Sequence, residues 1–326
     1  MLNQQTIKKK KNNGQKMIIQ IILLLIGFVL LIKGADYFVE GASNVANIFK
    51  VPTIIIGLTI VAFGTSAPEA AVSIAAGIMG SNEIAISNVI GSNIFNLLLI
   101  LGSCAIAGTL LVDKKIIKQD FPFLIIISLL LTGILLLTWQ ISRITGIIFL
   151  ILIIAYIIYL IRDAKKSSKT QEYDKPKYKL PISIIIIILS LIGIIVGADL
   201  VVDSAKYIAL TLGMSETLVG LTVVSIGTSL PELVTSLTAV RKGETGIAIG
   251  NIVGSNIFNI LLILGLSGAI SPICVHSNML IDLFVMLIAT GLCYVFIVLD
   301  KKLDTKEGII LMAMFIAYMA FIILRN

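Results

Sequence analysis

The chain has 326 residues, of which 58% are hydrophobic and 13% are charged, and its formal net charge at pH 7 is +7. Its mean hydropathy of +1.07 exceeds what a soluble domain can bury, and apolar runs of about 20 residues recur along its length. These figures exclude a soluble protein and predict an all-α polytopic membrane protein embedded in the lipid bilayer. The basic residues lie mainly in short loops and tails, where lipid headgroups explain them, so nucleic acid is not an expected partner.

Ten apolar segments, each long enough to be a membrane-spanning helix, follow one another along the chain. We expect these helices over residues 17–46, 52–80, 84–109, 121–139, 142–161, 180–211, 214–240, 246–271, 279–299 and 306–324. A polar basic tail, residues 1–16, precedes the first of them. The apolar run after this tail is too long for a signal peptide, so we expect a retained first span. A polar linker, residues 162–179, divides the chain nearly in half.

The two halves of the chain repeat the same motifs. Shifting the sequence by 163 residues aligns GADYFVEGA at 34 with GADLVVDSA at 197, and GLTIVAFGTSAPE at 57 with GLTVVSIGTSLPE at 220. With the same shift, 27 of the 47 positions from Gly57 to Ser103 are identical without a gap. Agreement at this level indicates an internal duplication. We therefore predict a five-helix repeat over 17–161 and a second over 180–326.

The number of helices between the copies fixes their relative orientation. Five helices separate each motif from its copy, so the second repeat must enter the membrane from the opposite side. Such inverted-topology repeats are typical of secondary transporters, whose substrate site lies near the midplane where the repeats meet. One chain then holds both halves of the site, so a monomer suffices and no obligatory protein partner is expected.

Basic residues predict how the chain is oriented in the membrane. With the N-terminus outside, sixteen Lys and Arg residues fall in inward loops and seven fall on the outer side. This count favours both termini outside and a cytoplasmic 162–179 linker, although the Lys8–Lys11 cluster argues the other way. The simplest location is the plasma membrane.

Two matching polar motifs interrupt long apolar runs. Residues 64–69 read GTSAPE and residues 227–232 read GTSLPE. Pro68 and Pro231 each remove a backbone donor and the glycines loosen the helix, so we expect a break at mid-membrane. Freed carbonyls are tolerated there only where they line protein or a polar cavity. Hydroxyl oxygens at the same level come from Thr65, Ser66, Thr228 and Ser229.

A carboxylate, Glu69 or Glu232, follows each break immediately. An acidic side chain at mid-membrane costs about 2.5–3.5 kcal/mol on insertion scales, and neither helix offers a basic residue at comparable depth. Structural polar contacts between helices are one explanation. We favour ion ligands, because the costly residue occurs twice in the same setting.

The element GSNIFN follows each motif, at Gly91–Asn96 and at Gly254–Asn259. Residues four apart share one face of a helix, so each copy offers a polar stripe of one Ser and one Asn: Ser92 with Asn96, and Ser255 with Asn259. Close packing of small residues between helices is the competing explanation. We favour ligands for the stripes, and packing for Asn93 and Asn256.

The assembled donors are all oxygen atoms of carboxylates, amides, hydroxyls and freed carbonyls. Ca²⁺ takes about six to eight such ligands in flexible geometry, whereas zinc and copper favour nitrogen and sulfur donors; Mg²⁺ is harder to exclude. Two ionised glutamates balance one Ca²⁺ or two Na⁺, and a site that holds either ion is the physical basis of exchange. We expect no cofactor.

The doubled motifs resemble those of a known transporter family. GTSAPE and GTSLPE, each followed by GSNIFN, resemble the paired repeats of the sodium/calcium exchangers in the cation/Ca²⁺ exchanger superfamily, and most closely its prokaryotic ten-helix members. The resemblance covers almost the whole chain. It implies a secondary active antiporter that exchanges Na⁺ for Ca²⁺ by alternating access, with a long tilted pair of helices, the first and the sixth, that slides.

The resemblance also implies a set of ion ligands. Glu69 and Glu232 would be the carboxylates shared by Na⁺ and Ca²⁺. Hydroxyl, amide and backbone oxygens would complete the set, from Ala62, Thr65, Ser66, Ser92, Asn96, Ser225, Thr228, Ser229, Ser255 and Asn259. Asn259 stands where relatives that cotransport K⁺ carry an acid, which favours K⁺ independence.

Three other functions stay open on the sequence. A Ca²⁺/H⁺ antiporter, or one for another divalent cation, would use the same glutamates to carry protons. A cation channel normally takes its acidic ring from symmetric subunits or parallel repeats, and an inverted repeat suits alternating access better. An intramembrane hydrolase would need a reacting partner beside the carboxylates, and none is obvious in the motifs, so we do not expect an enzyme.

An acidic residue of the first helix has a basic neighbour nearby in sequence. Lys33 lies three residues before Asp36, a spacing that permits an ion pair within one helix. We therefore expect Asp36 to take part in structural or interfacial pairing rather than in ion access.

Overall fold

The computed structural model describes residues 2–79, 82–167, 174–214 and 227–325, and these are almost entirely helical. We number the helices α1–α11 in chain order. Their bounds are α1 Leu2–Phe49, α2 Thr53–Ile56 continued by Ala62–Thr65, α3 Ala67–Ile78, α4 Asn82–Ile94 continued by Leu101–Ala107, α5 Phe121–Thr138, α6 Arg143–Ser167, α7 Leu180–Thr211, α8 Leu230–Arg241, α9 Thr245–Phe258 continued by Leu264–Ile270, α10 Ser277–Asp300 and α11 Thr305–Arg325. Four π-helical turns join the continued pieces or precede α5: Gly57–Val61, Phe95–Ile100, Ile116–Asp120 and Asn259–Ile263.

The helices confirm an all-helical membrane fold. Within the described ranges, eight helices are long and apolar enough to cross a membrane, and the pair α2 and α3, bent by 49°, can form a ninth. The helix expected over 214–240 lies partly outside the described residues, which contain its second half as α8. The total of ten helices therefore stays a prediction.

Two expected polar segments are partly helical. α1 begins at Leu2, so the segment expected as a tail before the first span is continuous with that span. α6 ends at Ser167, so it extends into the segment expected as a linker. Helix propensity explains the first difference, because Lys and Gln, which are frequent in this tail, are good helix formers.

α4 and α9 form the centre of the molecule. About 78% of the most apolar stretch of α4 and 94% of that of α9 is buried, whereas the corresponding share is 17% for α1 and for α11. The outer helices expose large apolar side chains, such as Ile22 of α1, Ile151 of α6 and Leu189 of α7. In water such a surface would be unfavourable, and in a bilayer it faces lipid. The GSNIFN elements thus lie on the two most enclosed of the eight long helices in the described ranges.

Glycines bring helix backbones into direct contact. α1 and α7 pack along each other, and a Cβ atom added to Gly27 would lie 2.8 Å from the carbonyl oxygen of Gly197. α2 meets α9 in the same way, since a Cβ on Gly250 would lie 2.5 Å from the carbonyl oxygen of Ile54. Small residues permit this approach between membrane helices, where dispersion contacts replace the hydrophobic effect.

Hydrogen bonds hold the end of α1 to the start of α7. The buried Asn44 side chain donates to Ser183 Oγ at 2.7 Å and accepts from the Lys177 backbone N–H at 2.6 Å. Asp36 forms an ion pair with Lys242, just after α8, at 3.7 Å. The structural or interfacial pairing expected of Asp36 is therefore present, but its partner is a lysine from the other half of the chain rather than Lys33 of the same helix.

Four two-residue strands tie loops together at the helix ends. β1 (Leu110–Leu111) pairs antiparallel with β4 (Lys302–Leu303), and β2 (Gln140–Ile141) pairs antiparallel with β3 (Ile273–Cys274). Each pair joins one half of the chain to the other. Since β1 precedes α5 and β2 follows it, the two small sheets lie at opposite ends of this helix.

Gly250→Ala should destabilise the protein, because the added methyl group would meet the backbone of α2, which cannot rotate away. We expect a loss of about 1–3 kcal/mol, as for other overpacked cores, and a lower Tm in detergent. Gly133→Ala in α5 is the matched control, since a Cβ atom there meets nothing within 4 Å and alanine favours helix. Equal Tm values for the two variants would contradict this packing.

Candidate cation-binding site

The two GTSxPE motifs produce matching breaks in the helices. Ser66, between α2 and α3, has φ −81° and ψ 8°, and Ser229, just before α8, has φ −93° and ψ 7°. Pro68 and Pro231 are each the second residue of the helix that follows, where a missing N–H costs nothing. The break expected in each motif is therefore present. It places a carboxylate in the first turn of α3 and of α8, where the helix dipole favours negative charge.

Each glutamate is held by a serine from the other half of the chain. Ser66 Oγ donates to Glu232 Oε1 at 2.9 Å, and Ser229 Oγ donates to Glu69 Oε1 at 3.0 Å. All four side chains are buried, with both glutamates only 1% exposed. These reciprocal bonds bring the two motifs together in one enclosed site.

Four of the predicted ligand residues each have a buried acceptor oxygen without a hydrogen-bond partner. These oxygens are Glu69 Oε2, Glu232 Oε2, Asn96 Oδ1 and Asn259 Oδ1. A buried acceptor without a partner typically costs about 1–3 kcal/mol, and more when it is charged. Other buried polar atoms also lack partners, but these four belong to residues that the sequence singles out as ligands. Unsatisfied oxygens of this kind are what a bare cation would coordinate.

Several of the predicted hydroxyl donors contact one another or a neighbouring amide. Ser229 Oγ is 3.4 Å from Ser92 Oγ, and the Oγ atoms of Thr65 and Ser255 lie 3.0 Å and 3.5 Å from Asn251 Oδ1. Thr228 is half-buried. The site can thus add hydroxyl oxygens to the carboxylate and amide oxygens.

Of the two predicted backbone ligands, Ala62 lies within the described residues. The Ala62 carbonyl oxygen accepts a hydrogen bond from the Ser66 N–H at 3.1 Å, which leaves it a second lone pair. Its counterpart by the 163-residue shift, Ser225, lies outside the described residues.

Two further hydrogen bonds join the helices that carry the predicted ligands. Asn88 Nδ2 donates to Ser73 Oγ at 2.9 Å, and Asn251 Nδ2 donates to Ser236 Oγ at 3.0 Å. The two pairs are related by the 163-residue shift, and their identity in both halves is a signal that the sequence reasoning passed over.

Asn93 contacts a predicted ligand directly. Its Oδ1 accepts from Asn259 Nδ2 at 2.9 Å, which leaves Asn259 Oδ1 as the unpaired end of that amide. The sequence predicts a role in helix packing for Asn93. Its hydrogen bond shows that it also orients a neighbouring amide.

Neither glutamate of the site has a basic partner among the described residues. Nor do the described residues contain a group of three or more His, Cys, Asp or Glu side chains that could hold a metal ion. The candidate donors are therefore two carboxylates with neutral oxygens, a set that suits a hard cation.

Comparison with known proteins places the chain in a family. A family model described as "Sodium/calcium exchanger protein" matches residues 19–162 and, again, residues 182–324. The chain belongs to the sodium/calcium exchanger family. The two matches coincide with the two halves that the 163-residue shift relates, and they confirm the resemblance carried by the doubled motifs.

Relatives of this exchanger-family chain match over nearly their full length. The "Putative antiporter CaxA" of Alkalimonas amylolytica is 39% identical over 314 residues, which cover 93% of this chain and 98% of that protein. The "Sodium/calcium exchanger MaX1" of Methanosarcina acetivorans is 34% identical over 346 residues, covering 92% and 97%. A solved structure of the sodium-calcium exchanger NCX_Mj, soaked with 10 mM Na⁺ and 10 mM Sr²⁺, matches with a TM-score of 0.82 at 34% identity, covering 93% and 98%.

Glu69→Gln and Glu232→Gln should each abolish stabilisation of the folded protein by Ca²⁺, because each removes a charge and replaces an unpaired acceptor by a donor. At a Ca²⁺ concentration 100 times Kd, the parent should gain about 2.7 kcal/mol, measured as a rise in Tm in detergent. Glu83→Gln is the control, since this glutamate is exposed on α4. A full Ca²⁺-dependent rise in either site variant would contradict the assignment.

Proposed function

We propose that this protein is a secondary active antiporter that exchanges Na⁺ for Ca²⁺ across the membrane by alternating access. The observation that supports this most directly is the set of four unpartnered buried oxygens, two from each half of the chain. Its membership of the exchanger family agrees with this proposal. Both ions are substrates in this account.

The donor set suits both ions in turn. Two carboxylates, two amide oxygens and neighbouring hydroxyls approach the six to eight ligands that Ca²⁺ favours. The proposed ligands are Ala62, Thr65, Ser66, Glu69, Ser92, Asn96, Ser225, Thr228, Ser229, Glu232, Ser255 and Asn259. Without a cation, the two buried glutamates would repel each other, so the site favours being filled with one Ca²⁺ or with Na⁺ ions of similar total charge. This requirement couples the two fluxes.

The two halves are proposed to be inverted repeats around this site. The reciprocal bonds between Ser66 and Glu232 and between Ser229 and Glu69 support a two-fold relation. The crossed strand pairs support it too, because β1 and its counterpart β3 belong to sheets at opposite ends of α5. Alternating access would follow if α1 and α7, packed on each other through Gly27 and Gly197, move as a pair against the site.

The cellular arrangement is proposed from charge alone. We place the protein in the plasma membrane with both termini outside and the 162–179 segment in the cytoplasm, because most loop Lys and Arg residues then lie inside. A monomer suffices in this proposal, since one chain supplies both carboxylates.

Uptake of ⁴⁵Ca²⁺ into proteoliposomes loaded with Na⁺ tests this function. We expect uptake that requires internal Na⁺, fails with internal choline or K⁺, and responds to membrane potential. Uptake driven by a pH gradient alone would contradict Na⁺ coupling and would establish the alternative, a Ca²⁺/H⁺ antiporter that uses the same glutamates. Uptake that needs no counter-ion at all would contradict exchange.

Asn259→Asp should change ion selectivity while leaving Ca²⁺ binding intact, because it adds a third carboxylate to the site. We expect stronger competition by K⁺ or Na⁺ against ⁴⁵Ca²⁺ uptake. Asn256→Asp is a comparison variant whose amide donates to the backbone of α9 at 2.7 Å. If Asn259→Asp competes with Na⁺, K⁺ and H⁺ as the parent does, Asn259 does not determine selectivity.

A further inference from the structure

A cavity of about 400 Å³ connects the proposed site to the ends of two helices. Ser92 and Thr228, two of the proposed ligand residues, line it together with Asp282 of α10 and Tyr318 and Arg325 of α11. Asp282 lies near the start of α10 and Arg325 is the last residue of α11, so both are at the β2–β3 end of the molecule. A cation that uses this cavity must pass them.

Asp282 and Arg325 form the charged part of the cavity wall. Arg325 Nη1 and Nη2 donate to the two carboxylate oxygens of Asp282 at 3.2 and 3.0 Å, and Tyr318 Oη donates to Asp282 Oδ1 at 3.1 Å. The side chains are 17% and 23% exposed, so the pair is largely shielded from solvent. Among the described lining residues they are the only charged ones.

The first half of the chain has residues equivalent to Asp282 and Tyr318, but it has an acidic residue at the position equivalent to Arg325. A shift of 162 residues relates Asp282 and Tyr318 to Asp120 and Tyr156, which form the same hydrogen bond at 3.0 Å. The same shift relates Arg325 to Asp163. The Asp–Tyr bond is thus shared by both halves and is explained by helix packing, whereas the arginine on the cavity-lining acid needs a separate explanation.

We propose that Asp282 is a docking carboxylate for cations that travel between the β2–β3 side and the site, and that Arg325 is the counter-ion that such a cation displaces. This inference rests on the proposed function. The apolar walls of the cavity, among them Ile84, Phe95 and Phe315, concentrate the field of the pair. Arg325 keeps Asp282 from holding a cation too tightly, as a transport path requires.

Variants of the two residues should change cation capture in opposite directions. Asp282→Asn leaves Arg325 facing the path and should raise the KM for Ca²⁺ presented on the β2–β3 side by about tenfold, as expected for a charge in a narrow cleft. Arg325→Gln leaves Asp282 without its counter-ion and should lower this KM. A merely structural ion pair would predict that both variants impair transport in the same direction.

The comparison needs vesicles of known orientation, and the chain offers a natural label. Cys274 of β3 is exposed at the same end of the molecule, whereas Cys104 and Cys293 are buried. Modification of Cys274 by a membrane-impermeant maleimide, before and after detergent, gives the fraction of molecules with this side outward. Sodium-dependent ⁴⁵Ca²⁺ uptake is then measured in preparations enriched in either orientation.

Matched variants separate docking from folding. Asp120→Asn removes the corresponding buried acid of the other half and should leave the KM on the β2–β3 side unchanged. The double variant Asp282→Asn with Arg325→Gln leaves no unpaired charge, so it should fold readily, with a KM between those of the single variants. Asp282→Glu should restore the KM, and added salt should weaken the effect of each single variant.

Several outcomes would overturn the inference. These are equal shifts from both sides of the membrane, a shift of the same sign in both single variants, or a double variant worse than either of them. Each would mean that the pair only holds α10 to α11. Failure of wild-type vesicles to exchange Na⁺ for Ca²⁺ would instead overturn the proposed function. Wild-type exchange is therefore measured before any variant is compared.

Discussion

The structure depends on the placement of two carboxylates where water cannot reach them. Glu69 and Glu232 each have one oxygen held by a serine from the opposite half and one oxygen without a partner. Such an arrangement is costly without a ligand, because unpaired buried acceptors and like charges both destabilise the fold. A bound cation removes both penalties at once.

The surrounding helices satisfy the same constraint by close packing. α2 lies backbone to backbone on α9 through Gly250, which seals one side of the site, while the cavity beside Ser92 leaves another approach lined by α10 and α11. The helix breaks at Ser66 and Ser229 aim two helix N-termini at the carboxylates. Tight backbone contacts and polar helix ends thus serve a single purpose, which is to present oxygens without admitting lipid.

The sequence predicts the local chemistry of the site better than its long-range contacts. Proline, glycine and glutamate in a duplicated motif predict both the helix break and the carboxylate after it, because these effects are local. The bond from Ser66 to Glu232 and the ion pair between Asp36 and Lys242 join residues far apart in sequence, and no periodicity encodes them. The role of Asn93 was missed for the same reason, since its partner lies on another helix.

The most direct test of this account is the position of Ca²⁺ in a crystal of the protein, found by anomalous diffraction. We predict a Ca²⁺ ion within about 2.3–2.6 Å of both Glu69 Oε2 and Glu232 Oε2, with amide oxygens completing its shell. A Ca²⁺ ion bound to ligands from only one half would contradict the shared site. So would an empty site at a Ca²⁺ concentration that supports transport.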